Sequence, residues 1–411
     1  MRALALSLLV LLTGCLSPTR SSQPVHTIAI DREDFSDLAF LKPLLDGKRV
    51  VQLGENTHGA REYNQVKARL VRYLHQELGY TVLAFESDVY QCHVANETLA
   101  TAPPRSTLFN CAFGVWHTEP VLDMFDYLQQ THATDQPMQL AGFDVQPIGP
   151  NKAGRPAFLA KAVRPLNADY AVEVQALDST FLAVYSEGSR ARRQFFRSEA
   201  GTEMLAAYDQ LVEVLSEAAS SAPELGIARQ TAYAQAQYIR IQTAPTTRAY
   251  VEFRDKGMAD NMAYLLDEAY PEEKVIVWGH NFHLRHNNLR IPPDSTMFPT
   301  ETAHTMGYWL HERYGDAVYT IGLYAHQGKA LNNAGEPFPL TPADAGLEAR
   351  TIDAFGPGAH FIDLAHPNQP GWLRTPISAA FNGTTPLTMT LAEQYDAVLV
   401  LDTVTPRTTL Y

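Results

Sequence analysis

The 411-residue sequence predicts an α/β fold: a mainly parallel central sheet flanked by helices, with a largely helical insert forming one wall of a cleft. Three observations lead there. Short apolar runs alternate with segments of helical period from residue 50 onwards. The runs at 50–53, 80–85, 138–142 and 274–278 each stop within two residues of Glu55, Glu86, Asp144 or His280, and in open α/β sheets the carboxyl ends of the strands are where ligands bind. Between about 156 and 270, strand-like runs give way to long Ala-, Glu-, Gln- and Arg-rich segments with apolar residues at helical spacing.

Taken in order, the chain opens with Met1, Arg2 and an apolar run over 3–12, the length of a signal-peptide core and too short to cross a bilayer as a helix. Leu12, Thr13, Gly14 and Cys15 resemble a bacterial lipobox, so residues 1–14 are expected to be removed and Cys15 to carry lipid. An ordinary signal peptide with an incidental cysteine is the plainer alternative. Leu16 after the cysteine favours the outer membrane. Residues 15–26, rich in Ser, Pro, Thr and Arg, read as a tether, and 27–411 as the folded domain. Of the remaining cysteines, Cys92 and Cys111, an oxidising periplasm allows a disulfide, with two free thiols as the alternative.

Val50 to Leu53 form a strand that Gly54 breaks, and a helix follows over 62–78 with Val66, Leu70, Tyr73 and Leu74 on one stripe. The strand 80–85 runs into Glu86, after which an irregular stretch holds Pro103 and Pro104. Pro120 suits the first turn of a helix over 120–130, and the strand 138–142 ends just before Asp144. Within the insert, 202–219 and 227–243 are the clearest helices. Strand 274–278 leads into Gly279, His280, Asn281, Phe282 and His283, and further strands are expected at 317–324, 360–364 and 396–401. A formal charge of −13, with no basic patch interleaved with aromatics, disfavours nucleic acid as a partner.

Glu55, His58, Glu86, Asp144, His280 and His283 thus converge on one edge. An imidazole takes a proton from water near neutral pH, and a neighbouring carboxylate fixes its tautomer and stabilises the imidazolium. A cation or second imidazole can steady the oxyanion that forms when water attacks a carbonyl. No Gly-x-Ser-x-Gly elbow is present and neither Cys92 nor Cys111 lies in a nucleophile motif, which favours direct attack by water over an acyl-enzyme. Glu55, His58, Glu86 and His280 could instead hold a divalent metal, although no His-Glu-x-x-His helix is present. Trp116, Trp278 and Trp309 read as core or wall, Arg254 with Asp255 as an ion pair or helix start, and His286 as a histidine without a role.

These residues resemble the erythromycin esterase family. The match runs through Gly54, Glu55, Asn56, Thr57 and His58 with Glu62 four residues on, then Glu86, Trp116, Gly142 to Asp144, Arg254 to Asp260, and Trp278 to His283. It implies an α/β core with a largely helical second part and a cofactor-free hydrolysis in which water opens a carboxylic ester, a macrolide lactone in the resistance enzymes. His58 would be the general base, Glu55 and Glu86 would orient it or the water, and His280 would assist at the carbonyl. Lys67, Asp144 and His283 are expected to bind substrate. The family's resistance enzymes carry an arginine where Lys67 stands, so a forked contact to a carboxylate is not carried over. Arg69 faces about 200° round the helix and is a poor replacement. The sequence therefore points to an envelope-anchored hydrolase of a small-molecule ester. A metal-dependent envelope hydrolase and a non-catalytic ligand-binding lipoprotein are the alternatives.

Overall fold

Eleven strands and the helices between them account for the computed structural model, which describes residues 23–291 and 303–410. The signal peptide and Cys15 lie outside the described residues. The strands are β1 (Val25–Ile28), β2 (Val50–Leu53), β3 (Tyr80–Asp88), β4 (Gln139–Asp144), β5 (Lys274–Trp278), β6 (Val318–Leu331), β7 (Pro337–Pro339), β8 (Ala359–Asp363), β9 (Ile377–Phe381), β10 (Thr385–Met389) and β11 (Ala397–Val404). One sheet runs in the order β1-β8-β11-β6-β2-β5-β3-β4, with β7 paired to β6, and β9 and β10 form a separate hairpin. The six strands from β11 to β4 are parallel, while β8 is antiparallel to β11 and β1 to β8.

The parallel strands are apolar on both faces because helices cover both. The helix Arg61–Leu78 covers one: Tyr63, Val66, Leu70, Val71 and Leu74 are buried against Val51, Leu53 and Phe85, and Gly79, at φ 70°, ends it in the left-handed conformation that glycine adopts freely. On the other face Met258 and Met262 pack against Val82, Val277 and Phe143.

The insert consists of the helices Arg155–Val163, Ala168–Ser186, Ser189–Phe196, Glu199–Ala219, Gly226–Thr243 and Thr247–Tyr264. The first five share a core of their own around Leu159, Phe181, Tyr208 and Tyr238. The last lies against the sheet and supplies the cleft wall. No helix among the described residues is long and apolar enough to cross a membrane.

Several expectations change. The tether was placed up to residue 26, but Val25 and His26 already pair with β8. The stretch after Glu86 is not irregular: it forms the helices Val89–Glu97 and Pro104–Cys111, joined by a Cys92–Cys111 disulfide. β3 continues through Glu86 to Asp88 with one extra residue, since Phe85 pairs with Gly142 and Asp88 with Asp144. Such a bulge re-aims a side chain at a strand end. The β9–β10 hairpin and the helix Leu347–Phe355 beneath it had no clear signal in the sequence.

Candidate active site

Register places the site. Leu53, Trp278, Phe85 and Gly142 lie side by side across β2, β5, β3 and β4, so the residues one or two positions further on, Glu55, His280, Glu86 and Asp144, emerge from four adjacent parallel strands. The turn after β2 is held tightly. A Cβ on Gly54 would sit 2.0 Å from Oδ1 of Asn281, whose side chain bonds both backbone groups of Leu323 while its own amide donates to the Glu55 carbonyl.

Glu55 is fully buried. Its Oε1 accepts from His58 Nδ1 at 2.6 Å and from Trp116 Nε1 at 2.8 Å, and its Oε2 accepts from Lys67 Nζ at 2.7 Å. Burial opposes ionisation, but the Lys67 ammonium and His58 overcome it and hold the carboxyl at about 2. Lys67 is equally buried and stands 4.1 Å over the Trp278 ring. Desolvation brings it down to about 8 in spite of Glu55. His58 is thus backed on Nδ1 by a permanent carboxylate, and its Nε2 is left for the cavity that the ring lines.

The His280 ring stands 5.1 Å from that of His58. The Phe282 amide donates to its Nδ1 at 3.1 Å, which assigns the ring proton to Nε2. Burial, with His58 and His283 pushing the same way, takes its pKa well below 6.5, so it is a neutral N–H donor. Glu86 Oε2 accepts from the His280 amide at 2.7 Å and fixes that backbone. On its far side Arg254 donates to Glu86 at 3.0 Å, to Asp144 at 2.7 and 3.2 Å, and to His283 Nε2 at 3.0 Å. His283 in turn donates from Nδ1 to Asp255 at 2.8 Å. Burial lowers the His283 pKa, but Asp255 and Glu86 outweigh it and raise the ring above the ordinary value.

These groups face a cavity of about 1010 Å³. Phe113, Trp116, Tyr250, Phe282, Phe338 and Phe381 supply most of its aromatic surface. His58, Glu86, His280 and His283 all line it, and Glu55 lies behind His58. Lys67 and Asp144 do not line it. Both are fully buried behind the site, Lys67 because it sits on the helix stripe that faces the sheet and Asp144 because Arg254 covers it. Neither is placed to bind substrate; they hold Glu55 and Arg254. Arg69 points away, to Asp37 and the backbone of residues 29–34. His286 lies off the cavity, bonded to Thr320.

Arg254 and Asp255 are neither an ion pair nor a helix start; they lie mid-helix and reach different partners. Trp116 is more than a wall, since its indole N–H holds Glu55. Among Glu55, His58, Glu86 and His280, considered above as metal ligands, the carboxylate oxygens are already engaged. The Glu55 oxygens are taken by Lys67, Trp116 and His58, those of Glu86 by Arg254 and the His280 amide, and no group of three or more His, Cys, Asp or Glu side chains among the described residues could hold an ion.

The sequence profile of the erythromycin esterase family matches residues 75–404. YbfO of Bacillus subtilis (strain 168), whose name assigns it provisionally to the hydrolases, is 34% identical over 413 residues, covering 93% of this chain and 90% of its own. The chain belongs to the erythromycin esterase family. Solved structures share its fold. A crystal structure titled as a succinoglycan biosynthesis protein superposes with a TM-score of 0.78 at 20% identity, over 94% of this chain and 96% of that one. An erythromycin esterase mutant, EreC, in its open conformation gives 0.70 at 18%, over 93% and 98%. Membership in the erythromycin esterase family makes the protein a hydrolase of that family, acting on a small molecule.

Proposed function

We propose that this hydrolase cleaves carboxylic esters with a water activated by His58, without a metal. One observation carries the reading: the 2.6 Å contact of His58 Nδ1 with the buried Glu55 carboxylate, which leaves Nε2 as a base facing the cavity. Nε2 takes a proton from water as the oxygen attacks the ester carbonyl. Glu55 balances the imidazolium, and the His280 Nε2–H donates to the developing oxyanion. Collapse of the tetrahedral intermediate expels the alkoxide, which recovers the proton from His58, so ester and water become acid and alcohol. Such a base contributes about 10²- to 10⁴-fold. Glu86, Arg254, Asp144 and His283 keep His280 in place. No serine or cysteine is among the described residues that line the cavity, which supports direct attack by water.

A cavity of 1010 Å³ lies at the upper end of about 300–1,000 Å³ for small-molecule sites. Its size and aromatic lining suit a macrolactone as the first substrate to try. Mass spectrometry of a 14-membered macrolide and of a panel of simpler esters tests the proposal. Gain of one water by the macrolide, or conversion of a simpler ester to its acid and alcohol, supports it, whereas a folded protein that leaves every ester intact refutes it.

We further propose that the protein is exported and lipid-anchored through Cys15 in the cell envelope. The Cys92–Cys111 disulfide supports an oxidising compartment. Full-length protein should partition with membranes and Cys15→Ser should not; equal partitioning would remove the anchor.

A further inference from the structure

Glu62, four residues beyond His58, does not line the cavity. Its carboxylate grips a strap, residues 405–410, that follows β11. Oε2 accepts from the Thr405 amide and Oε1 from the Thr405 hydroxyl, both at 2.6 Å. These are two charge-assisted bonds to a segment 343 residues away in sequence.

From there the strap runs along the entry to the helix Arg61–Leu78. That helix supplies no cap of its own, because its N-cap is Ala60, which has no side-chain oxygen for the first free amides. The Thr405 carbonyl accepts from the Arg61 amide at 2.9 Å in its place, and Ala60 pairs antiparallel with Pro406. One residue nearer the base, the Gly59 carbonyl accepts from the Arg407 amide at 2.9 Å and from the Leu331 amide, at the end of β6, at 3.2 Å. Gly59 has no slack, since a Cβ there would meet the Leu331 carbonyl at 1.8 Å. The strap and β6 together therefore hold the residues that follow His58.

The far end of the strap reaches a second segment of the site. Thr118 pairs antiparallel with Thr409, and the Leu410 amide donates to the His117 carbonyl at 2.8 Å. His117 follows Trp116, whose indole N–H shares Glu55 Oε1 with His58 Nδ1. Residues 405–410 thus tie the turn that carries His58 to the segment that carries Trp116, two of the three side chains that donate to Glu55.

We propose that Glu62 is a positioning residue: by anchoring the strap at Thr405 it sets the His58 ring and the Trp116 indole against Glu55 and so fixes the geometry of the base. This rests on the reading of His58 as the general base. Glu62 itself takes no part in the proton transfers. A reacting group displaced by about 1 Å can cost about a hundredfold in rate, so a bond outside the cavity is able to govern turnover.

The test uses Glu62→Ala, Thr405→Val, Thr405→Ser and the Glu62→Ala/Thr405→Val double variant, with denaturant unfolding of each to establish that it is folded under assay. On the best ester found, Glu62→Ala should lower kcat by about ten- to a hundredfold with KM little changed. Thr405→Val should lose less because its amide still donates, and Thr405→Ser should keep the wild-type kcat. Glu62→Ala already removes both bonds, so the double variant should lose no more than Glu62→Ala alone. An unchanged kcat in Glu62→Ala, losses that multiply in the double variant, or a loss in Thr405→Ser as deep as that in Thr405→Val would overturn the assignment. Hydrogen–deuterium exchange read by mass spectrometry needs no turnover and separates this proposal from the hydrolase reading. In Glu62→Ala, exchange should quicken across 405–410 and 113–118 as well as 55–61, and that pattern sustains the clamp even if no ester is cleaved. An acid that merely favours the N-terminus of its own helix would leave 113–118 unchanged, and that result removes the proposal while the hydrolase reading stands.

Discussion

Lys67 offers the sharpest handle on how this site is built. Replacing it with methionine keeps the length of the side chain and removes the charge beneath Glu55. Glu55 is fully buried and its carboxyl is held at about 2 against an ordinary 4.5, which corresponds to about 3 kcal/mol of preference for the ionised form. The sign is that of a depressed acid: the contribution is present above pH 4.5 and is lost as pH falls through about 2. Without Lys67, desolvation dominates and drives Glu55 upward, and removing one partner of a buried pair costs about 3–5 kcal/mol, or roughly two to four pKa units. Starting from about 2, Glu55 then protonates in the mildly acidic range, at about 4–6, and once protonated no longer supports an imidazolium at His58. Loss of the carboxylate behind a catalytic imidazole costs about 10⁴-fold in the serine proteases. Because Glu55 is then still mostly ionised at pH 7, kcat/KM should fall by less than about twofold there and by up to about tenfold at pH 5, with recovery at higher pH as Glu55 ionises. Lys67→Arg should instead retain activity and extend its alkaline limb, because the lysine loses its proton from about pH 8 and an arginine does not. The assay is kcat/KM from pH 5 to 10 with unfolding measured in parallel. A folded Lys67→Met protein with wild-type activity and an unshifted profile would refute the reasoning.

Other perturbations follow from the same geometry. Gly54→Ala sets a methyl against Asn281 and should cost about 1–3 kcal/mol on overpacking grounds, read as a lower unfolding midpoint with reduced activity. Reduction of the Cys92–Cys111 disulfide, which spans 19 residues, should remove about 3 kcal/mol by the loop-entropy relation, read by denaturant titration with and without reductant. Glu348 is buried and raised to about 7 from 4.5. Its charge therefore weakens the fold as pH rises through that interval, and Glu348→Gln should flatten the pH dependence of stability between 5 and 8. An unchanged slope would mean that the carboxyl does not titrate there.

Much of the site could be read from the sequence because strand ends are visible in one dimension. Val50–Leu53 and Lys274–Trp278 are apolar runs that stop at polar residues, and parallel pairing in register brings Glu55 and His280 together. What sequence reading misplaced is the buried charge. Lys67 falls between Tyr63, Leu70 and Leu74 on the stripe that faces the sheet, and Arg254 with Asp255 falls between Val251 and Met258 on the helix Thr247–Tyr264. A charge on an apolar stripe must have a partner, and that signal was available. The partner was not, because Arg254 meets Asp144 across 110 residues and His283 meets Asp255 across 28. The strap and the β9–β10 hairpin were less accessible still. Arg407 and Phe381 line the cavity through backbone pairing and packing that no local periodicity encodes.

The most direct test of the central claim is kcat/KM for the best ester found, measured for wild-type protein, His58→Ala and chelator-treated wild type. The expected outcome is a loss of about 10²- to 10⁴-fold in the variant, the usual worth of a general base, with no effect of chelation. Equal activity in His58→Ala, or wild-type activity abolished by the chelator and restored by a metal, would contradict it.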